Sequence, residues 1–271
     1  MKKHFLLLLM AMMSLTGWAL DISSFNITIN GTSDTNAGDI TVNSGTGVIT
    51  LMANKQTGAI AVTGSSSVAN TINVTGHSDS NTEIAKAINV TAGASTPSIT
   101  VDAKYHTSDV TITATGAATA ITLKAGKGAA AVTGGTSGAI NVTAGSSDLT
   151  VTASGAGDVT IDGQSNTTAI TLKGYDSASS TGALTINKGI GTITMDAKQN
   201  TGDLTISASN YANTITFSGT SVSDAAGKIS ITASSGTGVI NVDTRQNTGA
   251  FTLDASKVTD TAVTEIGRAH V

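Results

Sequence analysis

The chain has no cysteine, one proline, 3% aromatic residues and 12% charged residues among its 271. Without cysteine there is no disulfide scaffold and no thiolate metal site. A single proline excludes collagen and polyproline architectures. Charge is too scarce for a coiled coil, whose flanks need it. The 14 basic residues are outnumbered by 18 acidic ones, a net of −4, which excludes the basic footprint of a nucleic-acid binder. Threonine (47 residues), glycine (30), serine, alanine and asparagine fill the gap.

The two ends differ from the middle. Residues 1–19 read as a secretory leader: Lys2, Lys3 and His4 precede an apolar run from Phe5 to Met13, and Gly17 and Ala19 supply small residues before a cut between Ala19 and Leu20. The apolar run is too short to span a bilayer, and no later segment approaches the required length, so the mature chain is expected to hold no integral membrane segment. Removing Lys2 and Lys3 leaves 12 basic residues against 18 acidic ones, a net of −6. Residues 265–271 (EIGRAHV) match the in-frame translation of a common sequencing adapter and are read as non-native, which makes the chain a fragment of a longer protein. The region 20–264 is expected to carry the fold.

Within that region an aliphatic residue alternates with Thr, Ser, Asn or Asp in short runs such as VITLMA, TINVTG, SITVDAK, VTITATG, AITLKAG, LTINKG, TITMDAK and ISITAS. Period two places one face inward and one outward, the signature of a half-buried strand. Branched Thr, Ile and Val suit a pleated surface, and Gly, Asn, Asp and Ser mark the turns between runs. Leading aliphatics recur about every 11 residues, as in Ile99, Val110 and Ile121. Above this, markers at Ile60, Val110, Val159, Leu204 and Phe251 lie 50, 49, 45 and 47 apart, a repeat of about four strands in about 47 residues.

Eleven residues hold one strand and one turn, and two such legs make a coil of about 22 residues. The expected fold is therefore all-β: a β-solenoid (β-helix) of about 11 coils stacked roughly 4.8 Å apart, a rod of about 55 Å. Its thin aliphatic seam leaves no room for large rings, which accounts for the scarcity of aromatics. The alternative is an antiparallel β meander or sandwich array, although a sandwich needs about 100 residues per unit. Segment 79–87 (DSNTEIAKA) and its counterpart 223–228 read as an elaborated corner, and Pro97 falls in a loop where it removes no ladder donor.

Four features of the sequence bear on chemistry. Asp102, Asp196 and Asp243 each follow a leading Ile by three positions, and Lys104, Lys198 and Arg245 follow by two more. Read as one strand face, they form a candidate outward polar stripe; ordinary charge pairing on a solvated face is the favoured account. The calcium repeat Gly-Gly-x-Gly-x-Asp is absent and no metal or cofactor is expected. His77 and His106 sit at strand–turn junctions without a catalytic motif around them, so no catalytic residue is assigned and the chain is not expected to be an enzyme. Thr-x-Thr runs (Thr111-Thr113, Thr150-Thr152, Thr192-Thr194, Thr214-Thr216) form ranks of the kind ice-binding solenoids use, interrupted here by Asn, Asp and Lys.

A leader, no cysteine, and polar β repeats rich in Thr, Ser, Gly and Asn together resemble the passenger regions of bacterial surface adhesins and autotransporters, including filamentous-haemagglutinin-like proteins. The resemblance spans residues 20–264 and rests on composition and periodicity. It implies a secreted or cell-surface structural and adhesive role on the bacterial outer surface, with host surfaces, glycans or sister cells as partners and no nucleic acid. The alternatives are an ice-binding Thr-rich solenoid and a polysaccharide-active β-helix enzyme.

Overall fold

The computed structural model describes residues 18–21, 27–30, 38–45, 47–53, 58–76, 86–114, 118–135, 137–155, 157–175, 181–188, 190–208, 214–219, 227–233, 238–245, 247–258 and 262–266. These residues form 23 strands, from Trp18–Asp21 to Ala262–Ile266, and no helix. Alternate strands belong to alternate sheets. A first sheet of 12 begins with Trp18–Asp21, and a second sheet of 11 begins with Ile27–Asn30. Each strand pairs with the strand two places along the chain, and every pairing is parallel. The chain is thus a parallel β-solenoid with two strands per coil. An antiparallel meander or sandwich would require the opposite ladder.

Successive coils pair like residue with like residue: Ile99 opposes Ile121, and Ile121 opposes Ile140. Backbone bonding runs on past the strand ends, as in Ala103 N–H to Lys124 O at 2.9 Å and Ala125 N–H to Thr143 O at 2.9 Å. Coil length nevertheless varies, because only the strands must stay in step. Ile99 to Ile121 is 22 residues, Ala130 to Leu149 is 19, and Ile60 to Ile88 is 28. The longest coil includes segment 79–87, expected to form an elaborated corner; its residues 79–85 lie outside the described residues, as do 223–226 of its counterpart 223–228. The repeat of about four strands holds except between Val110 and Val159. Short coils there admit a fifth strand, so Val110 lies in the first sheet and Val159 in the second. Pro97 precedes Ser98–Asp102 and accepts Ala120 N–H on its carbonyl at 3.0 Å, so no ladder donor is lost.

Alternation sorts side chains as period two requires. Strand Ser98–Asp102 buries Ile99 and Val101, and Leu184–Lys188 buries Leu184 and Ile186. Each sheet thereby contributes two aliphatic columns to one continuous core. A fully buried Ile, Leu or Val contributes about 1.5–3 kcal/mol, repeated at every rung. The expectation that this seam excludes rings is corrected by two residues. Phe217 is 2% exposed, in a column between Met195 and Val242, and Tyr175 is 1% exposed at a corner. A flexible Met and a small Val beside Phe217 balance its volume along the column.

The corner leading from the first sheet to the second is tightly packed. Gly138, Gly157, Gly182, Gly202 and Gly227 stack there in successive coils. A Cβ on any of the last four would lie 2.2–2.5 Å from the carbonyl oxygen of the glycine beneath. The obstacle is backbone shared by the neighbouring rung, so it cannot rotate away. Gly157→Ala is expected to lose about 1–3 kcal/mol of stability, the cost of overpacking. Thr122→Ala, on an outward strand position, should stay within about 0.5 kcal/mol. Thermal unfolding followed by circular dichroism checks both, and equal melting temperatures would contradict the stacked corner.

Candidate functional site

Registration turns the outward threonines into ranks. The central outward column of the second sheet reads Thr50, Asn73, Thr100, Thr122, Asn141, Thr160, Thr185, Thr205, Ser230 and Thr252. On the first sheet, Thr63, Thr91, Thr113, Thr133 and Thr152 follow one another without interruption. These side chains are exposed or half-buried. The result is rows of hydroxyl and methyl groups, interrupted at Asn73 and Asn141, spaced by the rung repeat, roughly 4.8 Å.

The six residues of the candidate polar stripe fall differently. Asp196 and Asp243 share one column of the first sheet, with Ser218 between them, whereas Asp102 lies in the second sheet. The extra strand between Val110 and Val159 causes this change of sheet. Lys104, Lys198 and Arg245 do not share a strand face with their aspartates, because each strand ends at the Asp. Each Asp instead turns the chain: Oδ1 of Asp102, Asp196 and Asp243 accepts the backbone N–H of Lys104, Lys198 and Arg245 at 3.3, 3.1 and 3.2 Å. Asp162 and Asp254 do the same for Gln164 and Ser256. These are Asx turns, a structural use of the carboxylate. Lys198 adopts φ 48°, a left-handed conformation that the equivalent residues Lys104, Gln164, Arg245 and Ser256 do not share.

Their charges pair locally. Arg245 folds back on Asp243, Nη2 to Oδ2 2.6 Å, and that hydrogen bond holds the Asp243 carboxyl below its ordinary range. Asp102 meets Lys124 of the next coil at 3.4 Å. Lys104 Nζ sits 5.2 Å from the ring centre of Tyr105. A second set of aspartates, just before strands, bridges coils. Asp39, Asp109, Asp148, Asp158 and Asp203 accept backbone N–H groups of Ala59, Ala129, Ala169, Ala183 and Lys228 at 2.8–3.2 Å.

Ala19 and Leu20 lie in the strand Trp18–Asp21, paired to Thr41 and Val42, so that strand crosses the expected cleavage point. The leader's apolar run and His77 lie outside the described residues. His106 is 1% exposed and lies against Gly76 of the preceding coil, where a Cβ would come within 2.4 Å of its Nε2. Among the described residues no group of three or more His, Asp or Glu is placed to hold a metal, and no helix is long and apolar enough to cross a membrane.

The polar groups inside the corners were not anticipated. At the position following the outward residue at each strand's end, the second sheet has Ala103, Ala125, Ala144, Gly163, Ala208 and Ala233, but Lys188 in the coil after Gly163. Lys188 is 1% exposed, and its Nζ reaches the Asn166 side-chain Oδ1 at 2.5 Å and main-chain O at 3.4 Å. Burial pulls its pKa down to about 8, against an opposing pull from Asp148. Asn166, fully buried, spans coils: its Nδ2 donates to Gly145 O at 2.9 Å and Ser147 O at 2.6 Å. Asn200 and Asn247 reach Gly182 O and Gly227 O in the same manner. Alignment of the runs marks the exception, since LTINKG carries Lys where its neighbours carry Ala or Gly.

Comparison with family models, curated proteins and solved structures gave no match. The fold and the site therefore stand on their own geometry.

Tyr175 provides a pH test of a buried corner. Its hydroxyl donates to Gly157 O, and burial, followed by the charge of Asp158, pushes its pKa up to about 12. A folded-state pKa above the unfolded value of 10.0 gives stability that is whole below pH 10 and is lost as pH rises through about 12. Tyr175→Phe should cost about 1 kcal/mol at neutral pH, the net value of one hydrogen bond. It should also flatten this alkaline decline in urea unfolding; an unchanged decline would place its origin elsewhere.

Proposed function

We propose that this chain is a secreted or cell-surface rod of the bacterial adhesin type, a stiff non-catalytic spacer whose outer faces contact glycans or cell surfaces. The observation that carries this reading is the parallel ladder that runs through both sheets. Each rung depends only on its neighbours, so rungs extend length without a new core. The expected leader, the lack of cysteine and the compositional resemblance to adhesin and autotransporter passengers agree with it. The described aspartates favour it too, since they serve turns and coil bridges. The test uses the purified full chain on immobilised cell-surface polysaccharides. Binding should survive His106→Ala and be lost when Thr122 and Thr160 are both changed to Lys. Release of sugar fragments, or binding that depends on His106, would contradict the reading and favour an enzyme.

One observation favours a second reading. The threonine ranks are more continuous in register than in sequence order, and a regular, sparsely charged lattice of hydroxyl and methyl groups suits ordered water. An ice-binding rod predicts thermal hysteresis in the unmodified chain, abolished by Thr122→Lys. Absence of hysteresis in the unmodified chain discards this alternative.

A further inference from the structure

The two faces of the rod differ in charge. From strand Ile60–Gly64 to strand Leu149–Thr152, the outward positions within the first-sheet strands are Ala, Thr or Asn only. Over the same rungs the second sheet presents Asp102, Lys124 and Asp162. Asp109 and Asp148, just before first-sheet strands, are turned to backbone N–H groups of the next coil. Further along, one outward column of the first sheet reads Thr152, Lys173, Asp196, Ser218 and Asp243. Asp243 is held by Arg245 at 2.6 Å. Lys173 is exposed and Asp196 half-buried, side by side on neighbouring strands. A cation next to an anion on an otherwise nearly neutral face is self-complementary: a second copy turned by a two-fold axis meets it with opposite signs.

The geometry of that axis is fixed by the columns. An axis running along the strands, midway between Ala169–Lys173 and Thr192–Asp196, reverses the order of rungs and keeps the strand direction. Each column then faces itself. Lys173 meets the second copy's Asp196, and Asp196 meets the second copy's Lys173. Thr152 meets Ser218, and Thr171 meets Thr194, all short side chains suited to sheets about 10 Å apart. Val239, an apolar side chain 40% exposed at the start of its strand, falls on the exposed Ala129 of the second copy. No like charges oppose one another in these columns. A slip of one rung in either direction sets Lys173 against Lys173 or Asp196 against Asp196, so the wrong registers are penalised.

The shared face is large enough. Eight strands overlap, from Val110–Thr113 to Ala262–Ile266, which gives a face of about 38 Å by about 16 Å. That is about 600 Å² on each partner, at the small end of specific interfaces. Lys173 and Asp196 lie inside this area, where exclusion of water strengthens their attraction over that of a surface pair.

We propose that the first-sheet face pairs two copies of this chain as antiparallel rods, locked in register by two reciprocal Lys173–Asp196 contacts. The second sheet, with Thr122 and Thr160, stays outward on both sides of the pair. The dimer therefore offers two identical outer faces, and an extended surface touched by both copies is held with the gain of bivalency.

Sedimentation equilibrium of the purified full chain at micromolar concentrations tests this. The unmutated chain should show twice its single-chain mass. Lys173→Glu, which sets carboxylates against each other, should halve that mass. The exchange Lys173→Glu/Asp196→Lys restores both contacts with reversed signs and should restore the doubled mass. Thr122→Arg, on the second sheet, should leave the mass doubled. A single-chain mass for the unmutated chain would overturn the proposal without reference to any variant. A doubled mass in Lys173→Glu, a single mass in the exchanged chain that keeps its β circular dichroism, or dissociation by Thr122→Arg would also overturn it.

Discussion

Every rung must offer its backbone N–H and C=O groups to the rungs on either side, in register and at strand spacing, and the rest of the molecule follows from that. The strands meet the demand through period two and branched side chains. The corners meet it by other means, because a bend brings backbone of adjacent coils closer than a Cβ allows. Glycines stack where carbonyls press inward, as at Gly157 over Gly138. Elsewhere side-chain amides and carboxylates serve as extra backbone: Asn200 binds Gly182 O, and Asp158 holds Ala183 N–H. Scarcity of charge and abundance of Asn, Asp, Gly and Thr are thus consequences of one packing rule.

The fold was legible because its signal is local and repeated. Alternation and the spacing of leading aliphatics specify strand, turn and coil, and the parallel ladder follows from stacking like on like. The phase of the long repeat was less legible. Registration depends on strands alone, so corners may be short, as between Ala130 and Leu149, or long, as between Ile60 and Ile88. One added strand moved Asp102 to a different sheet from Asp196 and Asp243, and no charge stripe joins all three. Their Asp-x-Lys spacing reported a turn, with the carboxylate bound to backbone. Phe217 and Tyr175 were hidden for another reason: the interior adjusts volume along each column, which composition alone does not reveal.

Outside and inside differ in chemistry. The outer strand faces carry ranks of hydroxyl and methyl groups. The interior keeps a few expensive polar groups, of which Lys188 breaks the Ala/Gly rule of its corner most plainly. A rod held only by backbone ladders and a thin aliphatic seam gains most from devices that tie one coil to the next. The Asn and Asp bridges between coils are devices of that kind.

The absence of cysteine permits a direct measurement of the stacking itself. Adjacent parallel strands place in-register Cα atoms within the distance a disulfide accepts. Thr160 opposes Thr185 on neighbouring rungs, whereas Asn187 lies two residues further along. A Thr160→Cys/Thr185→Cys chain should oxidise readily to an intramolecular disulfide, and a Thr160→Cys/Asn187→Cys chain should not. Equal oxidation of both pairs, or preference for the second, would contradict the in-register parallel ladder.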